Sequence, residues 1–272
     1  MTLPAGLLLA PNPPNLAIDP QALIEADLAA GYAEDWDGAS CASSSLSESV
    51  RDYNFENNRR YHKFREGSYH FPDDKPEQAR EDMKHAMIVN LCDGRLHFAP
   101  LERPKKILDI GTGTGIWAID VADEYPEADV LGIDLSPIQP NKIPHNLRFM
   151  VNDAESKWFH RPNTFNYIHI RHMTSSIKDW PRLLSQAYKA LKPGGWVEIQ
   201  DLRFVLKCDD GTLEPDDPVG DFLLKIRQGL EAMGVDLLAM EKHPRTSGQL
   251  ALSTPRPRSG RFLREPSRVI PK

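Results

Sequence analysis

Residues 106–117 read KILDIGTGTGIW, a short apolar run followed directly by a glycine-rich turn. The run predicts a buried β-strand over 106–110, and Ile116, Ile119 and Val121 recur at the intervals of a helix that follows the glycines. Because glycine carries no side chain, this order of strand, turn and helix lets the backbone approach a ligand closely. The stretch therefore predicts the first strand and the ligand loop of an α/β fold.

Four further strands are predicted downstream of this loop. They lie at residues 129–135, 147–151, 165–170 and 196–200. The clearest helix follows Asp179, which can cap its first turn, and stops at the proline-glycine turn of residues 193–195. Strands that alternate with helical stretches predict a parallel sheet with helices on both faces and a ligand crevice at the carboxyl ends of the strands.

The spacing of the glycines discriminates between classes of cofactor. A dinucleotide fingerprint would place Gly or Ala where this chain has Ile116, and a P-loop would need Gly-Lys-Ser/Thr after the glycines, so both are disfavoured. The spacing D-x-G-x-G-x-G over 109–115 instead resembles the first motif of the S-adenosylmethionine-dependent methyltransferases. There the loop embraces the methionine portion and the ribose. The resemblance gives four cofactor-binding candidates, Asp109, Gly111, Gly113 and Gly115.

Acidic residues at two later strand ends support the same interpretation. Asp134 ends the second strand, 19 residues after Gly115, about where a carboxylate meets ribose hydroxyls in this architecture. Asp153 and Ala154 follow the third strand, where methyltransferases of this type use an acidic side chain to accept from the adenine amino group. A single aspartate would more often be a turn former. Three at the matching strand ends favour a cofactor site.

Longer motifs make the resemblance more specific. Residues 108–118, 123–126, 132–140, 168–172 and 191–198 are similar to segments of the fungal methyltransferases related to the velvet-complex regulator of secondary metabolism. Residues 56–62 resemble that family's upstream motif, in which Gly usually stands at position 58. The resemblance covers about residues 53–236. It implies a Rossmann-like class I methyltransferase fold and S-adenosylmethionine as the cofactor.

The same resemblance leaves the methyl acceptor open, because substrates vary within the family. The leading prediction is methyl transfer to a small secondary metabolite or to a protein. The alternative is a weakly catalytic or non-catalytic cofactor-binding regulator of secondary metabolism that acts in a complex with a regulatory protein partner.

Methyl transfer from a sulfonium is an in-line displacement, so the protein mainly has to hold donor and acceptor in contact. Some acceptors also need a general base. His169 and His172, at the end of the fourth strand, are the catalytic candidates because a histidine can take a proton near neutral pH. Their spacing puts them on opposite faces of a strand, so only one can enter the cleft unless the strand ends first. Hydrogen bonding within the sheet is the alternative role for both.

Four regions are predicted along the chain. Residues 1–50 are rich in proline and serine and are predicted to be mostly disordered, residues 51–104 to form a helical cap, and residues 105–236 to form the methyltransferase core. Residues 237–272 form a basic, proline-bearing tail with eight Lys or Arg against two Glu. Prolines disfavour central strands, so the family's closing strands are predicted to be missing or altered, which would expose an edge of the sheet.

Within the predicted cap, one helix is expected over 77–91. Met83 and Met87 are placed on its buried face. Tyr61 and His62, from the charged aromatic segment before the helix, are lid candidates above the cofactor.

The composition excludes several classes of protein. Apolar residues make up 40% and charged residues 26%, which is typical of globular chains rather than of collagen-like or wholly disordered ones. The net charge of −6 disfavours nonspecific nucleic-acid binding. Residues 7–10 form an early apolar stretch far shorter than the ~18 residues of a membrane span, and no secretory signal is visible, which predicts no membrane partner and a cytoplasmic or nuclear location. Three scattered cysteines predict no metal site.

Overall fold

A mainly parallel sheet runs through the part of the chain that the computed structural model describes, which is residues 53–239 without 203, 205, 207, 209 and 215, and the backbone of 268–271. In chain order the elements are β1 (Tyr53–Glu56), β2 (Arg59–His62), α1 (Lys75–Leu91), β3 (Lys106–Ile110), α2 (Ile116–Glu124), β4 (Asp129–Asp134), β5 (Leu147–Val151), β6 (Phe165–Arg171), α3 (Trp180–Ala190), β7 (Leu191–Gln200), α4 (Pro218–Ala232) and β8 (Arg268–Pro271).

The strand order of this sheet is β5-β4-β3-β6-β7-β8. The strands from β5 to β7 pair in parallel. The chain runs outward from β3 in one direction through β4 and β5, and then in the other through β6 and β7. Such a reversal opens a crevice outside the carboxyl ends of the central strands. The predicted Rossmann-like α/β sheet is therefore confirmed, and its ligand crevice lies at the end of β3.

The core lies along the central strands. Ile107, Leu108 and Ile110 of β3 are completely buried, as continuous apolar runs in a parallel sheet require. Trp117 and Trp180 are buried as well. The predicted helix after Asp179 is α3, and the Asp179 side chain accepts from the Arg182 backbone N–H at 3.0 Å.

Helix α1 forms where predicted, but the prediction that Met83 and Met87 lie on its buried face is wrong. Met83 is 74% exposed and Met87 45%. The helix instead turns a polar face toward the sheet domain. Asp82 accepts from the Thr114 hydroxyl at 2.6 Å, and His85 is buried with Nε2 2.9 Å from the Asp120 carboxylate on α2. Hydrogen bonds rather than apolar packing thus attach α1 to the glycine loop and to α2.

The predicted helical cap also contains an antiparallel hairpin of β1 and β2. Asn57 and Asn58 form its turn with φ of +48° and +60°. Asparagine tolerates the left-handed conformation better than most residues, which explains how Asn58 replaces the family's glycine. Arg60 Nε lies 2.7 Å from the Asp73 carboxylate and ties the hairpin to the loop before α1.

The far edge of the sheet differs from the expectation of an exposed strand. Strand β8 pairs antiparallel with residues 196–199 of β7, so this part of the edge is covered. A closing strand is therefore present in altered form. Proline at its end is compatible with an edge position, because the outer side of an edge strand needs no hydrogen bond. The predicted disorder of residues 1–50 and most of the basic tail fall on residues 1–52 and 240–267, which lie outside the described residues.

Within these described ranges, no helix combines the length and apolarity needed to cross a membrane. The boundaries assigned to the four regions at residues 50, 104 and 236 stay predictions.

Candidate functional site

A cavity of about 480 Å³ opens at the carboxyl ends of β3, β4 and β6. This volume falls within the range of small-molecule sites in proteins. Most of the residues predicted to bind a cofactor line it: Asp109, Gly111, Gly113, Asp134, Asp153 and Ala154. The exception is Gly115, which caps α2 outside the cavity wall.

The three loop glycines all have positive φ, but their surroundings differ. A side chain built on Gly113 would meet nothing within 4 Å, and Gly113 faces the cavity. A side chain on Gly111 would lie 2.2 Å from Met173 Sδ, and one on Gly115 would lie 2.4 Å from Phe149 Cζ. Gly111 and Gly115 therefore permit close packing within the protein, whereas Gly113 leaves space for a ligand.

Asp134 joins the end of β4 to the glycine loop. Its carboxylate accepts from the Gly113 backbone N–H at 2.8 Å and from the Ser136 N–H at 2.9 Å. Burial raises the pKa of Asp134 to about 6, although these backbone hydrogen bonds act in the opposite direction. The carboxylate is thus held rigidly at the cavity wall, with acceptor capacity remaining on its oxygens.

Asp109 lies beneath the loop and has both oxygens engaged. One is 2.7 Å from His169 Nδ1, and the other accepts from the Thr112 hydroxyl at 2.6 Å. Asp109 therefore holds the loop and one of the two candidate histidines in place.

The two histidines have different environments. His169 is completely buried and stacks on Trp117 with ring centroids 3.5 Å apart. Its contact with Asp109 and this stacking hold the ring in place, and His169 lines the cavity with no described hydrogen-bond partner for Nε2. Burial lowers the pKa of His169.

His172 reaches the cavity because β6 ends at Arg171, so the expected exclusion of one histidine does not apply. Its φ is +56°, and its Nδ1 lies 3.9 Å from the Asp201 carboxylate. Within the described part of the chain, Nε2 has no hydrogen-bond partner. Burial lowers the pKa of His172, so the neutral ring can accept a proton or a hydrogen bond.

Asp153 and Ala154 follow β5 at the other end of the cavity. The Asp153 carboxylate accepts from the Glu155 N–H at 2.8 Å and lies 3.2 Å from Arg65 Nε. The Ala154 carbonyl accepts from the Trp158 indole N–H at 2.9 Å. A carboxylate has about four lone-pair sites, so Asp153 can still accept from a ligand.

Several residues of the cavity wall were not predicted from the sequence. Tyr69 lines the cavity, whereas the lid candidates Tyr61 and His62 do not. Asp201 directly follows β7, and its carboxylate accepts from the Thr174 N–H at 2.8 Å. The signal for Asp201 was available, since it is an acidic residue at a strand end like Asp134. Arg171 and Met173 carried no comparable pattern.

No cluster of three or more His, Cys, Asp or Glu side chains among the described residues is arranged to hold a metal ion.

Comparison with known proteins places this site in a broader context. A family model described as a methyltransferase domain matches residues 83–210. "Methyltransferase pytC" of Aspergillus terreus is 46% identical over 242 residues, which cover 88% of this chain and 68% of that protein. The match therefore extends beyond the sheet and the glycine loop.

Two further fungal relatives carry other names. "Secondary metabolism regulator LAE1" of Cochliobolus heterostrophus is 47% identical over 59% of this chain and 54% of that protein. "Protein-methionine methyltransferase laeA" of Emericella nidulans is 40% identical over 58% of this chain and 43% of that protein. The chain thus matches about two thirds of the first relative's length and about half of the other two.

Proposed function

The chain belongs to the fungal class I S-adenosylmethionine-dependent methyltransferases, and on this basis we propose that it methylates a small secondary metabolite in the cavity at the carboxyl ends of its strands. The observation that carries the proposal is the open space at Gly113 beside the rigidly held Asp134 carboxylate. A nucleoside with an amino-acid tail needs a backbone that it can approach closely. It also needs a fixed hydrogen-bond acceptor beside that backbone for its hydroxyls.

The cavity residues fit S-adenosylmethionine from one end to the other. Asp153 and Ala154 are assigned to the adenine, Asp134 to the ribose hydroxyls, and Gly111 and Gly113 to the methionine portion. When bound, this cofactor supplies an electrophilic methyl group on a sulfonium. The chain's own residues bind it, orient it and exclude water from the reacting atoms.

The acceptor is assigned to the opposite side of the cavity, near the end of β7 and α4. There the wall is apolar and is formed by Leu202, Phe204, Ile226 and Leu230. An apolar wall in a cavity of this size favours a small acceptor with hydrophobic rings or chains over an extended polymer.

His172 is the residue that we assign to proton transfer. With a hydroxyl acceptor, His172 Nε2 would take the proton that the hydroxyl gives up when its oxygen receives the methyl group. Asp201, 3.9 Å from Nδ1, stabilises the protonated ring. His169 is not assigned to this step because its ring is completely buried and its Nδ1 is engaged by Asp109.

A second candidate function is a cofactor-binding regulator that acts in a complex with a protein. A relative named as a regulator of secondary metabolism supports it. A relative named for methylating protein methionine instead supports a protein as the methyl acceptor. The exposed apolar side chains on α4, Val219 at 55% and Phe222 at 60%, are suited to a protein contact.

The experiment that separates these functions follows the methyl group. The purified full chain is incubated with S-adenosylmethionine labelled in its methyl group, together with either a small-molecule extract or a protein extract from a fungal producer. We expect S-adenosylhomocysteine release and label in a small molecule, with neither seen for Gly113→Val. Label only in protein would make a protein the methyl acceptor and contradict the small-metabolite proposal. Cofactor binding without turnover in either extract would replace the leading function with the second.

A further inference from the structure

Three Lys or Arg side chains line the cavity, and two of them are neutralised on α1. Arg80 Nη2 lies 2.6 Å from the Glu77 carboxylate, and Lys84 Nζ lies 2.6 Å from that of Glu81. The third is Arg171, at the end of β6. Among the described residues, no carboxylate lies within 4.0 Å of its guanidinium, so Arg171 is the unpaired cation of this wall.

A relay of hydrogen bonds holds the Arg171 guanidinium in position. Its Nη2 donates to His85 Nδ1 at 2.8 Å, and His85 Nε2 donates to the Asp120 carboxylate at 2.9 Å. Burial lowers the pKa of His85, and the positive charge of Arg171 lowers it further. The ring is therefore neutral and can accept a hydrogen bond at Nδ1. The relay connects β6, α1 and α2, and it fixes the direction of the guanidinium without neutralising its charge.

A partly buried cation without an anionic partner is costly in free energy. Burial lowers the pKa of Arg171, although the more distant charges of Asp109, Glu81 and Asp120 act in the opposite direction. A guanidinium has five N–H donors in a planar fork, and only one described bond uses them within the protein. A carboxylate matches that fork with two parallel hydrogen bonds. The Arg171 fork therefore has the geometry to bind a carboxylate from the cavity.

The order of residues along the sheet edge indicates which carboxylate this is. The strand ends from β5 to β6 carry Asp153, Asp134, Gly111 and Arg171 in that sequence, and the pairing of Ile110 with Ile170 places Arg171 beside Gly111. The proposed assignment runs through adenine, ribose and methionine in the same direction. The next group along the cofactor is the carboxylate of its amino-acid tail.

We propose that Arg171, oriented by His85 and Asp120, binds the carboxylate of the cofactor's amino-acid tail. The inference rests on the proposed function, since it needs the cofactor in this cavity. An acidic acceptor would offer the same chemistry from the other side of the cavity, and the test below distinguishes the two sources.

The test compares two ligands that differ in the tail. S-adenosylhomocysteine has the amino-acid tail, whereas 5′-methylthioadenosine keeps the adenosine and the sulfur but lacks it. Both are titrated by calorimetry into the full chain and into Arg171→Met. We expect Arg171→Met to weaken S-adenosylhomocysteine binding by about 10- to 100-fold, as loss of a charge-assisted bidentate pair implies. The affinity for 5′-methylthioadenosine should change by less than about twofold.

Two further variants serve as controls. Arg80→Met removes a cavity cation that is already paired, so the ratio of the two affinities should stay as in the unaltered chain. Arg171→Lys keeps the charge without the planar fork, so it should lie between the unaltered chain and Arg171→Met.

The possible results are distinct. Equal weakening of both ligands would make Arg171 a structural residue and overturn the proposal. Unchanged binding of both ligands by Arg171→Met would place the tail carboxylate elsewhere and overturn the proposal. If that variant then showed a higher KM for acidic acceptors alone, Arg171 would be assigned to the acceptor. If the unaltered, folded chain binds neither ligand, the proposed function itself fails. If the unaltered chain binds both ligands, the proposed cofactor site stands, and an unchanged affinity in Arg171→Met counts only against the role of Arg171.

Discussion

At the scale of single residues, the three loop glycines all have a positive φ, but they serve different purposes. Gly113 leaves room in the cavity, whereas Gly115 admits the Phe149 ring. The spacing of the motif predicts that glycines are required at these positions. It does not predict the neighbour of each one, because Phe149 and Met173 arrive from other elements.

A pair of substitutions tests this difference. Gly113→Val should abolish cofactor binding while the chain stays folded, because its side chain enters empty space at a strain of about 1 to 2 kcal/mol. Gly115→Val adds a clash with Phe149 to the same strain and should cost roughly 2 to 5 kcal/mol of unfolding free energy. Calorimetric titration and thermal unfolding measure the two effects. Equal losses of stability in both variants would contradict the assignment of Gly113 to a ligand space.

Asp134 predicts a pH dependence of cofactor binding. Its pKa is raised to about 6 by burial, so the ligand-free chain carries a protonated Asp134 below that pH. A protonated carboxyl accepts fewer hydrogen bonds from ribose hydroxyls, so affinity should be constant above about pH 7 and fall as the pH drops through 6, by up to about tenfold per unit. Asp134→Asn should bind about 1 to 3 kcal/mol more weakly at pH 7.5, without this dependence. A variant with the same pH profile as the unaltered chain would assign the titration to another group.

The candidate residues also show where sequence reasoning stops. Asp109 and Asp134 both lie near the carboxyl ends of strands, and the sequence pattern does not distinguish their roles. Only the register of β3 against β6 brings His169 opposite Asp109 and commits that carboxylate to the protein. Likewise, the ending of β6 at Arg171 decides that His172 reaches the cavity.

At the scale of elements, the strands and helices were predictable where one apolar pattern determines both the element and its burial. Strand β3 and helix α3 are examples. Helix α1 is predictable as a helix but not in its orientation, because its attachment depends on Asp82 and His85, which bind partners far along the chain. Polar contacts of this kind leave no periodic signal.

The orientation of helix α1 can be tested by comparing a substitution at an exposed position of α1 with one at a buried position of α3. Met83→Gln should change the unfolding free energy by no more than about 0.5 kcal/mol, since the Met83 side chain is 74% exposed. Leu183→Ala, in the buried face of α3, should cost about 2 to 5 kcal/mol and serves as the matched core substitution. Both are measured by urea denaturation of the full chain. A cost for Met83→Gln near that for Leu183→Ala would restore the buried orientation and contradict the polar attachment.

At the scale of the whole molecule, the parallel sheet concentrates the chemistry at one edge. The carboxyl ends of five parallel strands bring Asp153, Asp134, Gly113, His172 and Asp201 together, although they are far apart in the sequence. This concentration follows from topology, and alternation of strands and helices predicts it. The pairing of β8 with β7 does not follow from local pattern, since a four-residue segment carries too little information to identify its partner.

The central claim is that this edge binds S-adenosylmethionine, and one titration tests it most directly. The purified full chain is titrated with S-adenosylmethionine by calorimetry, with folding checked by circular dichroism in the same sample. Saturable binding at one molecule per chain, lost in Gly113→Val, is the predicted result. A folded chain that shows no saturable binding, or one whose binding survives in Gly113→Val, would contradict the claim.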